Sequence, residues 1–123
     1  MIKLAFCLRR LPHLTREEFQ RYWRETHAPL VRRHAGVLRI RRYVQAHTLD
    51  DPIQEALRAS RGGPEPYDGV AELWWDDRGA LEAATRSPEG QAAALELLED
   101  ERRFIDLARS PLFVTEERAV IGS

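Results

Sequence analysis

Hydrophobic and polar positions alternate over the start of the chain: Ile2, Leu4, Phe6 and Leu8 fall on one side, and Lys3, Ala5, Cys7 and then Arg9 on the other. A period of two predicts a β-strand, here with one strongly apolar face and one small or basic face compatible with a cavity. The proline of Leu11-Pro12-His13-Leu14 marks a loop. Thr15 and Glu18 have the spacing of a capping box, and Phe19, Tyr22, Trp23 and Leu30 recur at helical intervals, so a helix begins there. Pro29 cannot donate to the carbonyl of Glu25, which predicts a break or kink near Thr26-His27. His27 follows Trp23 by four residues, on or beside the apolar face, and His34 before Ala35-Gly36 marks the helix end.

Alternation resumes from Val37 to His47, predicting a long second strand with Leu38, Ile40, Val44 and Ala46 on one face and Arg39, Arg41, Tyr43, Gln45 and His47 on the other. Its last polar side chains, a phenol, an amide and an imidazole, either meet water or line a polar cavity. Asp50-Asp51-Pro52 caps a short helical piece over Ile53 to Leu57, and Ser60 to Pro66 is a loop. At about 19 residues, the connection from Thr48 to Pro66 is long enough for a lid or interface segment. Asp68 to Trp75 reads as a third strand with Val70, Glu72 and Trp74 opposite Ala71, Leu73 and Trp75. Glu72 is then exposed, paired with an arginine such as Arg39 or Arg41, or a functional acid or base.

Asp76 or Asp77 caps a helix through Arg86, and Ser87-Pro88 restarts it. Leu95, Leu98, Phe104 and Ile105 give the later part a core face, while Gly90 and Glu99-Asp100-Glu101 predict an interruption. Ser110-Pro111 ends the helical region and Leu112 to Ile121 supplies a fourth strand. The order β-α-β-β-α-β is that of an α+β, ferredoxin-like fold with a four-stranded antiparallel sheet. Helices cover one face of such a sheet and leave the other bare. Two sheets paired face to face give a dimeric α/β barrel, in which the polar faces of strands two and three border an internal cavity.

Composition narrows the function classes. The 123 residues suit one domain, residues 1–123, and a net charge of -1 gives no general reason to expect nucleic acid or an anionic membrane as a partner. No apolar run approaches the roughly 20 residues of a membrane span, and the start alternates rather than showing a signal peptide's apolar block, so a cytoplasmic protein is expected. One cysteine and four separated histidines give neither a disulfide nor a zinc spacing, and no metal or cofactor is expected. The run Arg39-Ile40-Arg41-Arg42 has the charge of a phosphate patch, but without aromatic interleaving it reads as solvated or ion-paired.

Phe6-Cys7-Leu8-Arg9-Arg10, Phe19-x-x-Tyr22-Trp23-x-x-x-His27-Ala28-Pro29, Tyr43-Val44-Gln45-x-His47 and Asp68-Gly69-Val70-Ala71-Glu72-Leu73-Trp74 occur in register, followed by Phe104-Ile105-Asp106 and Ser110-Pro111 to Glu116-Glu117. Together they resemble the EthD-domain family, which is named for a bacterial ether-degradation gene cluster. The resemblance implies a homodimeric α/β barrel; similar domains act as dehydratases or cyclases on aromatic polyketides, and cofactor-free monooxygenases use the same barrel. It places catalytic roles on His47, His27 and Glu72 and substrate contacts on Tyr43, Gln45, Trp74, Arg9 and Cys7. The expected chemistry is proton transfer on a small hydrophobic or aromatic carbonyl compound, with His47 as base or acid, Tyr43 and Gln45 orienting the substrate or stabilising an enolate, and Trp74 as an apolar wall. A non-catalytic small-molecule binding or accessory protein would use the same residues, and cofactor-independent oxygenation or haem binding are further alternatives within related barrels.

Overall fold

Residues 1–122 are described by the computed structural model, which runs β1 (Ile2–Leu8), α1 (Arg16–Tyr22), a π-helical turn (Trp23–His27), α2 (Ala28–His34), β2 (Arg42–His47), α3 (Ile53–Arg61), β3 (Gly69–Trp75), α4 (Arg78–Arg86), α5 (Pro88–Glu101), a 3₁₀ turn (Leu107–Arg109) and β4 (Leu112–Glu116). The strands form one antiparallel sheet in the order β2-β3-β1-β4, the ferredoxin-like arrangement.

Strand register decides which side chains share a face. Leu4 pairs with Leu73, which pairs with Tyr43, so Tyr43, Gln45 and His47 lie with Leu4, Phe6, Leu8 and Ala71. This face carries the core, in which Phe6, Leu8 and Ala71 pack with Phe19, Trp23, Phe104 and Ile105. The opposite face carries Lys3, Ala5, Cys7, Val44, Val70, Glu72, Trp74 and Phe113. Of these only Trp74 is buried. The polar face of the second strand therefore points into the helices and not across the bare face, contrary to the expectation from the sequence.

The helix boundaries follow local chemistry. Thr15 and Glu18 complete the capping box in both directions, at 2.9 and 3.1 Å. Asp77 and Ser87 cap α4 and α5 through the backbone N–H groups of Ala80 and Gly90. Other expectations are corrected. The irregularity expected near Thr26-His27 is present, but as a π-helical turn over Trp23–His27 and not as a break: Ala28 N–H bonds to the Trp23 carbonyl, and the missing proline donor is accommodated in a continuous helical segment. Residues Val37 to Ile40 form a turn rather than strand, with Arg39 at φ 59° and Ile40 N–H bonded to the Ala35 carbonyl. The piece from Ile53 extends to Arg61 and ends at left-handed Gly62. Helix α5 is not interrupted at Gly90, where a Cβ would meet the Ala84 carbonyl oxygen at 1.8 Å; the glycine permits close helix packing. Its inward positions are Ala93, Leu97 and Asp100, whereas Leu95 is exposed. The last strand stops at Glu116.

Candidate functional site

Between the sheet and the π-helical turn lies a small cavity of about 50 Å³, with apolar walls that include Phe6, Leu8, Trp23 and Ile105 and with His27, Tyr43 and Glu101 as its polar members. The widened turn presents Trp23 and His27 inward together, and both are buried. Gly69 on β3 makes room for the indole, since a Cβ there would lie 2.5 Å from the Trp23 ring.

His27 Nδ1 is 2.7 Å from Asp100 Oδ2. Asp100 also accepts from the Tyr22 hydroxyl at 2.6 Å and from Arg103 at 3.0 Å. Burial pushes the Asp100 carboxyl up, but the bonds from Tyr22, His27 and Arg103 outweigh it and hold the group below the usual carboxylate range. An ionised Asp100 fixes the proton of His27 on Nδ1 and leaves the Nε2 lone pair unengaged. Burial pushes the His27 pKa down against the pull of Asp100, so the ring is neutral at neutral pH. Beside this pair, burial and then the Asp100 charge raise the Glu101 carboxyl from the usual 4.5 to about 7.

A second chain of hydrogen bonds reaches the cavity from β2. Gln45 Nε2 donates to the Trp23 carbonyl at 3.0 Å and to Tyr43 Oη at 2.9 Å, which sets the amide orientation because the carbonyl only accepts. Gln45 Oε1 then accepts from His47 Nε2 at 2.8 Å. Tyr43 Oη accepts from Gln45, so its own O–H remains available to donate, and burial raises its pKa so that it keeps that proton. His47 stacks on the outer side of Trp23, ring centroids 4.5 Å apart, and is absent from the cavity wall. Burial, then the charge of Arg24, lowers its pKa.

The residues singled out from the sequence thus divide. His27 and Tyr43 meet at the cavity, with Gln45 and His47 behind Tyr43. Glu72, Trp74 and Cys7 are on the opposite face. There Glu72 pairs with Lys3 at 2.9 Å, not with Arg39 or Arg41, because Lys3 stands beside it on β1 and Arg41 reaches Asp76 at 3.3 Å instead. Trp74 lies between Lys3 and Arg42 and donates to Glu117 at 2.5 Å. Burial raises the Cys7 pKa, keeping it a thiol. Arg9 is spent on the Pro66 and Glu65 carbonyls at 3.0 and 3.1 Å and stacks on Tyr67, pinning the end of the β2–β3 connection.

Tyr22, Asp100 and Glu101 were not among the candidates. A signal for Asp100 existed: Ala93, Leu97, Asp100 and Phe104 have the four-three-four spacing of a buried helical stripe, so a carboxylate occupies a core position. Among the described residues no cluster could hold a metal ion, and no helix is long and apolar enough to cross a membrane.

A family model described as the EthD domain matches residues 11–108. Among solved structures, an EthD family protein from Bacillus halodurans is similar with 24% identity and a TM-score of 0.63, over 96% of this chain and 99% of that one. An EthD-like protein from Ralstonia eutropha shares 18% identity with a TM-score of 0.62, over 96% and 95%. A dimeric protein of unknown function and ferredoxin-like fold from Bacteroides fragilis shares 11% identity with a TM-score of 0.59, over 94% and 95%. No curated protein matches the sequence.

Proposed function

The chain belongs to the EthD domain family, and from that premise we propose that it binds a small hydrophobic carbonyl compound between the sheet and the π-helical turn and moves a proton on it without a cofactor. The reading is carried by one observation: His27, whose Nδ1 lies 2.7 Å from Asp100 Oδ2, borders a mostly apolar cavity that is also lined by Tyr43 and Glu101. The base role goes to His27 and not His47, because His27 lines the cavity whereas His47 does not and packs on the Trp23 ring instead.

In the proposed step His27 Nε2 takes a proton from the carbon next to the substrate carbonyl. The C–H electron pair forms the enolate, whose oxygen accepts the Tyr43 O–H. Where a β,γ double bond extends the enolate to a dienolate, the imidazolium, stabilised by Asp100, returns the proton to the γ-carbon and the double bond moves into conjugation with the carbonyl. Where a β-hydroxyl is present, protonated Glu101 gives its proton to the departing hydroxide, water leaves, and His27 and Glu101 exchange protons with solvent to reset. The cavity at about 50 Å³ is far below the roughly 300 Å³ at which small-molecule pockets begin, so admission of substrate requires wall side chains to move.

Solvent-deuterium exchange into aryl ketones and β-hydroxy ketones, followed by proton NMR, tests the assignment. The expected result is cofactor-free exchange that falls about 10²–10⁴-fold in His27→Gln and far less in His47→Gln. Exchange unaffected in His27→Gln contradicts it, and binding with no exchange makes the chain a carrier. We further propose that the bare sheet face, with Ala5, Val44, Val70 and exposed Phe113, is covered by a second copy of the chain.

A further inference from the structure

Resting on that reading of the cavity, we propose that the ligand carries a carboxylate, held by Arg32 and Arg41 at the mouth of a groove between α2 and β2, while its apolar body passes between Val31 and Tyr43 toward His27. The groove measures about 210 Å³. Ala28 and Val31 on one side of α2, and Ala35 at its C-terminal cap, line it together with Ile40 and Tyr43. Val31 and Tyr43 also line the inner cavity, so these two side chains are the partition between the groove and His27. Neither space alone reaches the roughly 300 Å³ at which small-molecule pockets begin; joined, they approach it.

The charge around this groove is one-sided. Arg32, Arg41 and Arg42 border it and no carboxylate does. Arg42 is engaged elsewhere, its guanidinium 4.6 Å from the Trp74 ring centroid. Arg41 reaches Asp76 at 3.3 Å, but both side chains are more than half exposed, and such a pair yields readily to a better-placed anion. Arg32 has no ion pair among the described residues. A guanidinium pair over an apolar slot matches an arylalkyl carboxylate, which offers two oxygens to the fork and an apolar body to the partition. The larger hollow beside α1, about 550 Å³, differs on both counts. Its arginines are interleaved with Glu17, Asp50 and Glu65, and none of its lining residues borders the inner cavity.

The probes are 3-benzoylpropionate and its methyl ester, which share the aryl ketone and differ in the carboxylate. Their affinities for the full chain are measured by calorimetry, with Trp23 indole NMR as a site-specific reporter, for the native protein and for Arg32→Gln/Arg41→Gln. Both substituted residues are exposed, so the variant is expected to fold, and its thermal transition is checked. The acid is expected to bind roughly tenfold more tightly than the ester, with the preference shrinking to about twofold in the double variant and on raising the salt. Equal binding of acid and ester, or a preference that survives the double substitution, overturns the carboxylate assignment while leaving the cavity reading in place. Absence of any binding or Trp23 response with either probe overturns both.

Discussion

The two faces of the sheet carry polar side chains under opposite conditions. On the helix-covered face Tyr43, Gln45 and His47 form an ordered chain of hydrogen bonds, and His27 and Tyr22 converge on a buried aspartate. His27 and Asp100 are buried, so an unpaired polar group at that pair would cost about 1–3 kcal/mol, while Tyr43, Gln45 and His47 are half-buried and are ordered by their bonds to one another and to the Trp23 carbonyl. On the bare face Lys3, Glu72, Trp74 and Arg42 assemble a partly solvated ionic cluster in which Lys3 spans Glu72 at 2.9 Å and Glu117 at 3.8 Å. Polar residues on a strand are therefore not a functional signal by themselves; what matters is which face the neighbouring elements cover. The same contrast separates the two buried aspartates. Asp68 is locked by the Arg10 backbone and by the Arg10 and Arg16 side chains, so it ties the end of β1 to α1. Asp100 meets a titratable ring that faces a cavity.

The largest expected effect is that of Asp100→Ala, which leaves the Tyr22 and His27 donors without their acceptor and should cost about 1–3 kcal/mol for each in urea unfolding and abolish proton exchange. Glu101→Gln comes next and acts through pH. The raised Glu101 pKa means that the folded state holds the proton more tightly than the unfolded chain. Its contribution is complete below the ordinary value of 4.5 and is lost as pH rises through about 7. Glutamine has no proton to lose, so the variant should gain stability over the native protein between pH 5 and pH 8, by at most on the order of 3 kcal/mol, measured by unfolding at both pH values. The smallest effect on the fold is expected on the other face. Phe113→Asp should change unfolding free energy by under about 0.5 kcal/mol while weakening self-association roughly tenfold or more, read by sedimentation.

Much of the scaffold was legible because its signals are local. The alternation of β1, the Thr15–Glu18 box, and the caps at Asp77 and Ser87 each depend on residues within a few positions, and each is found where the chain chemistry puts it. The conflict between Pro29 and a helical pattern was also visible, although not its resolution as a widened turn that turns His27 inward. The face assignment of Tyr43, Gln45 and His47 was not legible, since alternation says that they share a face and only the pairing of β2 with β3 and of β3 with β1 says which. Val37 to Ile40 alternates as a strand would, yet the hydrogen bonds back to His34 and Ala35 take that segment into a turn. Glu101 lay beyond reach for a different reason: its proton affinity depends on burial and on the charge of Asp100 beside it.

The proposed ligand site lies on the helix-covered face. Each face carries its own tryptophan reporter, Trp23 at the cavity and Trp74 on the bare face, with Trp75 bonded to the Leu38 carbonyl at 2.8 Å as an internal reference. Titrating an aryl ketone into ¹⁵N-labelled protein and following the three indole N–H signals tests the claim directly. The prediction is a saturable shift of the Trp23 signal with Trp74 unmoved; a shift of Trp74 with Trp23 unmoved would place the ligand between paired sheets and contradict it.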